Sequence, residues 1–355
     1  MGSYDPWIGI NNLHPYIQNK DSSFSDGKTI LENTTFPGEN TGAGSVLIAD
    51  IMGDKTPEII KAQYGGDPTS PYGYSIFGFD QTTKSYKFLK KPKNKGVFSE
   101  SKQGSTSIKV ADFNKDGKMD LAFQLFPSNN TTREYLKGIF IQNLAGKYIL
   151  DTNYVIKGKG DMWYGVFGDF NGDGYEDVIL SAFNTPRHLD EITYPDFIIL
   201  LNDGAGRLSE DTSFYANGVL EAALPYRLGV ADFNGDGLDD FVSCSRVNDL
   251  ADDFTYVMTG DIYDLYLTNS DGKMERASDN IDTSDPSSKS IGCHDTSVGD
   301  ANGDGHPDFF ISAKLFINDG FGNFTFKNIN EPGPMSSNIA DVNGDGYGDL
   351  ILHYG

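Results

Sequence analysis

The chain has 355 residues, and 28 Lys and Arg against 51 Asp and Glu give a formal net charge of −23. So acidic a chain does not suit nucleic acid as a main partner, because phosphate binding needs a basic face, and it offers no polybasic patch to anionic lipid. Its 38% hydrophobic and 13% aromatic residues exclude a disordered chain, and its 41 glycines predict many tight turns between short strands.

Read from the N-terminus, Met1–Trp7 has neither a charged n-region nor an apolar h-region, so no signal peptide is expected within this chain. No run reaches the ~20 apolar residues of a membrane-spanning helix, and no membrane insertion is expected. Tyr16–Asn19 and Gly27–Asn33 read as a strand pair, closely paralleling Phe140–Asn143 with Gly146–Thr152. A repeat then takes over. Its first copy, Asp50–Glu58, is decayed, and five full copies follow at Asp112–Asp120, Asp169–Asp177, Asp232–Asp240, Asp300–Asp308 and Asp341–Asp349. Each has the form D-x-N-x-D-G-x-x-D, with short strand-like runs before and after it, which sets the motif in a β-hairpin loop.

A second hairpin alternates with the first: Phe140–Leu150, Ile199–Leu208 and Leu315–Phe326, with looser versions from Ile76 and Leu265. Its Asn-Asp-Gly turns supply the left-handed positions of a tight hairpin. Each repeat of roughly 60 residues is therefore a four-stranded antiparallel unit, the size of a β-propeller blade. The predicted fold is all-β: one propeller domain over residues 1–355 with six four-stranded blades. N-terminal strands within residues 7–34 complete the blade begun by 336–355. The two cysteines, Cys244 and Cys293, make no disulfide framework and are read as buried free thiols, with a single bridge between them as the alternative.

The loops point to a cation. In each, side-chain oxygens at positions 1, 3, 5 and 9 and a backbone carbonyl at position 7 can converge on one ion, and Gly at position 6 permits the sharp turn. The predicted ligands are Asp112, Asn114, Asp116, Lys118 and Asp120; Asp169, Asn171, Asp173, Tyr175 and Asp177; Asp232, Asn234, Asp236, Leu238 and Asp240. The last two sets are Asp300, Asn302, Asp304, His306 and Asp308, and Asp341, Asn343, Asp345, Tyr347 and Asp349. An all-oxygen set with three carboxylates suits Ca²⁺. Position 12 holds Phe123, Leu180, Ser243, Ile311 and Leu352 in place of the EF-hand glutamate, so these are not EF-hands. In the decayed copy Met52 replaces the ligand at position 3 and Lys55 the glycine, and no calcium is expected there.

These loops resemble those of the VCBS/FG-GAP repeat proteins, whose integrin-α-like propellers hold Ca²⁺ in D-x-[DN]-x-D-G-x-x-D hairpin loops. The resemblance covers essentially the whole chain. It implies a calcium-binding propeller, about five structural ions and an extracellular, cell-surface or virion-surface setting. Seven blades is the usual count in that family and stands as the alternative to six. Its members include fungal lectins, adhesion-receptor heads, toxin-complex shells and some polysaccharide lyases, so fold and metal follow from the motif and activity does not.

Six residues before each loop the chain enters an inner strand. Trp163, Tyr164, Tyr226, Arg227, His294 and Asp295 lie there in three consecutive repeats, a set that stacks on and hydrogen-bonds to sugars. Arg187, His188 and Asp190 form a second cluster, read as a solvated loop. Chemistry by G-x-S-x-G, H-E-x-x-H or a phosphate loop is absent from the sequence. The expected function is a glycan-binding or adhesion module with no catalytic residue. A protein-interaction part of a surface assembly, or a lyase using Tyr226 or His294 as base and Arg227 against a uronate, are the alternatives. N-x-[ST] sequons stand at Asn33, Asn129, Asn130 and Asn323.

Overall fold

Short alternating apolar segments bounded by Asp, Asn and Gly can bury only one or two faces of a strand, so they must pair sideways and stack. The computed structural model describes residues 16–18, 24–26, 42–64, 74–88, 104–126, 136–142, 148–150, 156–157, 162–182, 197–216, 225–250, 256–285, 296–311, 313–329, 336–341 and 343–353. Among them the regular elements are β-strands, with single 3-10 turns at Thr212–Phe214 and Ser278–Asn280.

The strands form antiparallel meanders. The first is β3 (Gly42–Ala49), β4 (Glu58–Tyr64), β5 (Tyr74–Asp80) and β6 (Ser85–Phe88), hydrogen-bonded in that order. The second is β7 (Gly104–Ala111), β8 (Asp120–Phe126), β9 (Leu136–Gln142) and β10 (Tyr148–Leu150), with β11 (Ile156–Lys157) also on β9. The third is β12 (Met162–Gly168), β13 (Asp177–Ala182), β14 (Phe197–Asn202) and β15 (Leu208–Glu210). Then come β16 (Pro225–Ala231), β17 (Asp240–Leu250), β18 (Tyr256–Thr268) and β19 (Met274–Arg276). The fifth is β20 (Thr296–Gly299), β21 (Asp308–Ile311), β22 (Lys314–Asn318) and β23 (Phe324–Lys327). Two-stranded sheets stand at the ends: β1 (Tyr16–Gln18) with β2 (Phe24–Asp26), and β24 (Ser336–Ala340) with β25 (Asp349–His353).

Every Asp loop joins the first two strands of its sheet, and the second hairpin joins the last two, as the sequence predicts. In a meander those two connections lie at the same end. One expected strand is displaced: β1 pairs with Phe24–Asp26, whereas the predicted partner began at Gly27, and residues 27–33 lie outside the described set. β17 and β18 stay paired out to Leu250 and Tyr256.

The chain divides into two compact units, Met1–Asp161 with Gly204–Arg207, and Met162–Asp203 with Leu208–Gly355. Within the second, consecutive sheets stack face to face. Phe170, Ile179, Phe197, Ile199, Leu228, Phe241 and Tyr266 fill the first layer, and Phe233, Val242, Leu265, Phe309, Phe316 and Phe324 the second. Phe310, Ala313, Leu315 and Ile339 fill the third. Neighbours in sequence go to opposite layers, Phe241 and Val242 or Phe309 and Phe310, so both faces of each strand are used. Truncating one of these fully buried rings to Ala costs about 3–5 kcal/mol. The inner strands press together: a Cβ on Gly229 would lie 2.6 Å from Val298 Cγ2, so only glycine fits.

Cys244 is buried and disulfide-bonded, which corrects the expected free thiols. The only other cysteine is Cys293, itself outside the described residues. Cys244 pairs with Arg227 on the central part of β17, and Cys293 lies three positions before β20, whose sheet stacks on that of β17. The two stand 49 residues apart in the sequence, and spacing alone does not reveal the bond. A crosslink closing a loop of about 50 residues contributes about 4 kcal/mol through the unfolded chain. Reduction, or Cys244→Ser, is expected to lower the melting temperature by several degrees in calorimetry. An unchanged midpoint would mean the bond carries no stability.

Candidate functional site

The Asp loops follow one path. Positions 4 and 6 take left-handed backbone in each copy, for instance Gly235 at φ 77° and Gly237 at φ 89°. The first-position carboxylate organises the turn. Asp232 Oδ1 accepts from the Gly235 and Asp236 N–H groups at 2.7 and 3.1 Å, and its Oδ2 from Gly237 N–H at 2.9 Å. Asp300 and Asp341 repeat this set. Position 3 accepts from the amide of position 5, as in Asn234 Oδ1 from Asp236 at 2.9 Å. Position 5 accepts from position 7, as in Asp304 Oδ1 from His306 at 2.9 Å. The loops at Asp112 and Asp169 make the same inner bonds through Asn114, Asp116, Asn171 and Asp173.

Position 9 does something the ligand pattern did not reveal. Asp120, Asp177, Asp240 and Asp308 are fully buried. Asp177 Oδ2 accepts from Phe170 N–H at 3.2 Å and its Oδ1 from Asn202 N–H at 2.7 Å, joining the Asp loop to the second hairpin. Asp240 takes Phe233 and Thr268, and Asp308 takes Ala301 and Asn318, in the same way. Asn318 adds its side chain, donating to Phe233 C=O at 2.9 Å and Pro307 C=O at 3.0 Å. Burial pushes the Asp177 and Asp240 carboxyls up to about 7, against the amides that hold them down. Asp308 is raised for the same reason. The recurrent Asn that opens Asn-Asp-Gly was the available signal for this clasp.

Among the described residues no three His, Cys, Asp or Glu side chains form a ready-made metal cluster. The donor set still fits a hard cation. Asp169 Oδ1 is buried with no hydrogen-bond partner, an orphaned anionic oxygen at the first ligand position. Such an atom costs free energy unless something positive meets it. Asp169, Asn171, Asp173 and Asp177, with the Tyr175 carbonyl, are the residues that would hold the ion there, and the other four loops offer the same types. The side chains and carbonyls at these positions are oxygen donors of the kind a hard cation takes.

Four of the six candidate ligand residues, Trp163, Tyr164, Tyr226 and Arg227, lie at the far ends of inner strands. β12 has one extra residue between the pairs Met162↔Ala182 and Tyr164↔Ser181, and that residue is Trp163. β16 has the same bulge between Pro225↔Ser245 and Arg227↔Cys244, and the extra residue is Tyr226. β3 and β7 bulge at the equivalent place, Gly44–Ser45 and Thr106–Ser107. One irregularity therefore recurs six residues ahead of the loop. β12 and β16 are neighbours within the second unit, so Trp163, Tyr164, Tyr226 and Arg227 share one end of it. His294 and Asp295 lie outside the described residues, as do Arg187, His188, Asp190 and the sequons at Asn33, Asn129 and Asn130. Asn323 is exposed on the β22–β23 hairpin.

No protein-family model matches the chain. A curated relative, a T-cell immunomodulatory protein homolog of Plasmodium falciparum, is 33% identical over 143 residues. The match spans 38% of this chain and 18% of that protein. Among solved structures, a Bacillus licheniformis rhamnogalacturonan lyase aligns with TM-score 0.45 at 11% identity, over 88% of this chain and 64% of that one. The V. cholerae biofilm matrix protein Bap1 aligns with TM-score 0.39 at 14% identity, over 87% of this chain and 43% of that one.

The raised carboxyls set a pH test. Their folded values near 7 lie above the unfolded 3.8, so the folded state holds more protons in that window. In chelator, stability is expected to fall as pH rises from about 4 to about 7, because ionising a buried carboxyl works against the fold. Calcium favours the ionised form and should abolish that decline. Melting curves across pH with and without chelator check this, and superimposable curves would remove the metal assignment.

Proposed function

We propose that the chain is a calcium-stabilised β-propeller of the VCBS/FG-GAP kind that binds glycans at the bulged ends of its inner strands, outside the cell or on a surface. Strand arithmetic supports the propeller: five meanders account for the middle of the chain, and the two-stranded sheets at its ends add up to a sixth. The five full loops, fifteen aspartates of the 51 acidic residues, would hold structural calcium at the opposite end. The disulfide at Cys244 suits an oxidising compartment.

The observation that carries the glycan reading is the repeated bulge. A bulge sets one residue out of the two-residue alternation and re-aims it, and bulges gather next to binding sites. In two neighbouring strands that residue is aromatic, Trp163 and Tyr226, and each is followed by a polar partner, Tyr164 or Arg227. Aromatic faces stack on the CH surfaces of sugars, and a guanidinium donates paired hydrogen bonds to hydroxyls or carboxylates. A glycan array in calcium buffer is the test. Binding is expected, and Trp163→Ala should weaken it at least tenfold without moving the melting temperature, about 1.4 kcal/mol of affinity. A folded, calcium-loaded protein that binds no glycan would overturn the reading. Release of unsaturated uronides from an acidic polysaccharide would replace it with a lyase.

A further inference from the structure

The third loop reaches into the second through a residue that the ligand pattern leaves open. Asp239 stands at position 8 of loop 232–240. Its Oδ2 accepts from the Asp169 N–H at 2.8 Å, and its own N–H donates to the Asp169 carbonyl at 3.0 Å. Asp169 is the first ligand position of loop 169–177, so both of its backbone polar groups are held by the neighbouring repeat. The contact is close-packed: a Cβ on Gly168 would lie 2.8 Å from Asp239 Oδ2, and one on Gly172 would lie 2.5 Å from Leu238 Cδ2.

The same place is occupied differently elsewhere in this unit. Position 8 is Pro307 in the fourth loop, with no N–H to donate, and Gly348 in the fifth, with no side chain to accept. Asp169 also differs from its counterparts in the other three loops of this unit. Asp232, Asp300 and Asp341 turn Oδ1 to the loop amides, whereas Asp169 Oδ1 is buried without a partner. The clasped loop is thus the one with an unmet anionic oxygen.

We infer that Asp239 is a positioning residue that couples cation binding at loop 169–177 to the order of loop 232–240. The inference rests on the reading of these loops as calcium sites. Asp239 is followed directly by the clasp residue Asp240 and follows the ligand positions Asp236 and Leu238, so the conformation of the third loop fixes where Asp239 points. Asp239 in turn fixes the backbone from which the Asp169 carboxylate projects. A third loop that is ordered presents the second loop's first ligand, and one that is not leaves it to find its position alone.

Terbium titration of the full chain separates the loops. Position 7 is tyrosine in two of them, Tyr175 and Tyr347, so in a Tyr347→Phe background tyrosine-sensitised emission reports loop 169–177. In that background Asp236→Ala, at an exposed position of the third loop, is expected to weaken terbium binding at Tyr175 by about fivefold or more, the range of a real coupling between sites. Asp304→Ala in the fourth loop should leave it unchanged. Asp239→Ala should weaken it as Asp236→Ala does, with no further loss in the double variant. Asp239→Asn keeps an acceptor for the Asp169 N–H and should retain the coupling. Emission whose midpoint ignores Asp236→Ala overturns the coupling, whether or not the Asp239 variants fold. An absence of any terbium or calcium response overturns the calcium reading itself, and this inference with it.

Discussion

Three of the repeats are organised around an aspartate taken out of water at the start of the second strand. Asp177, Asp240 and Asp308 meet this cost with backbone amides from two separate segments, the loop that opens the motif and the end of the third strand. A buried carboxylate between two amides makes strong, charge-assisted hydrogen bonds, and an amide left without it would be an unsatisfied donor in the core. The position cannot be Ala or Leu without orphaning both donors. This is why an acidic residue recurs at the start of the second strand, an aspartate in the five full copies and Glu58 in the decayed one. The two hairpins at that end of the sheet are fixed to one another before any ion is considered.

Much of the fold was legible because its signals are local. The alternation that sends Phe309 and Phe310 to opposite layers, the left-handed glycines at positions 4 and 6, and the Asn-Asp-Gly turns all act within a few residues. The sequence also marked the positions six residues ahead of each loop as a place to look, though for their side chains. It did not reveal the bulge that makes those positions different. A bulge depends on how two strands slip against each other, and one strand read alone carries no sign of it. The same limit hid the Cys244 bond and the reciprocal contact of Asp239 with Asp169. Asp169 and Asp239 stand 70 residues apart in neighbouring repeats, where stacking decides what meets.

Loop and bulge occupy opposite ends of one inner strand, about 20 Å apart at 3.3 Å per residue over six residues. A group at one end cannot coordinate anything at the other. They are joined by the strand itself, held in a stack so close that Gly229 admits no side chain. The hydrogen-bonded Asp loops stand at one end and the bulges at the other, so a change at one end need not disturb the other.

The decayed copy shows what this separation permits. Asp50 still accepts from the amides of Gly53, Asp54 and Lys55, and Glu58 still reaches back to Ile51 and Met52 with its longer side chain. Lys55 sits at φ 69° where the other copies have glycine, a strained backbone for a residue with a Cβ. The turn has lost a ligand and its best residue, yet it follows the path of its siblings. The shape is therefore written in the chain's own amides and carboxylates. Such a repeat can lose the residues of its motif one substitution at a time and still keep its turn, because the backbone path is held by bonds that the remaining acidic side chains make.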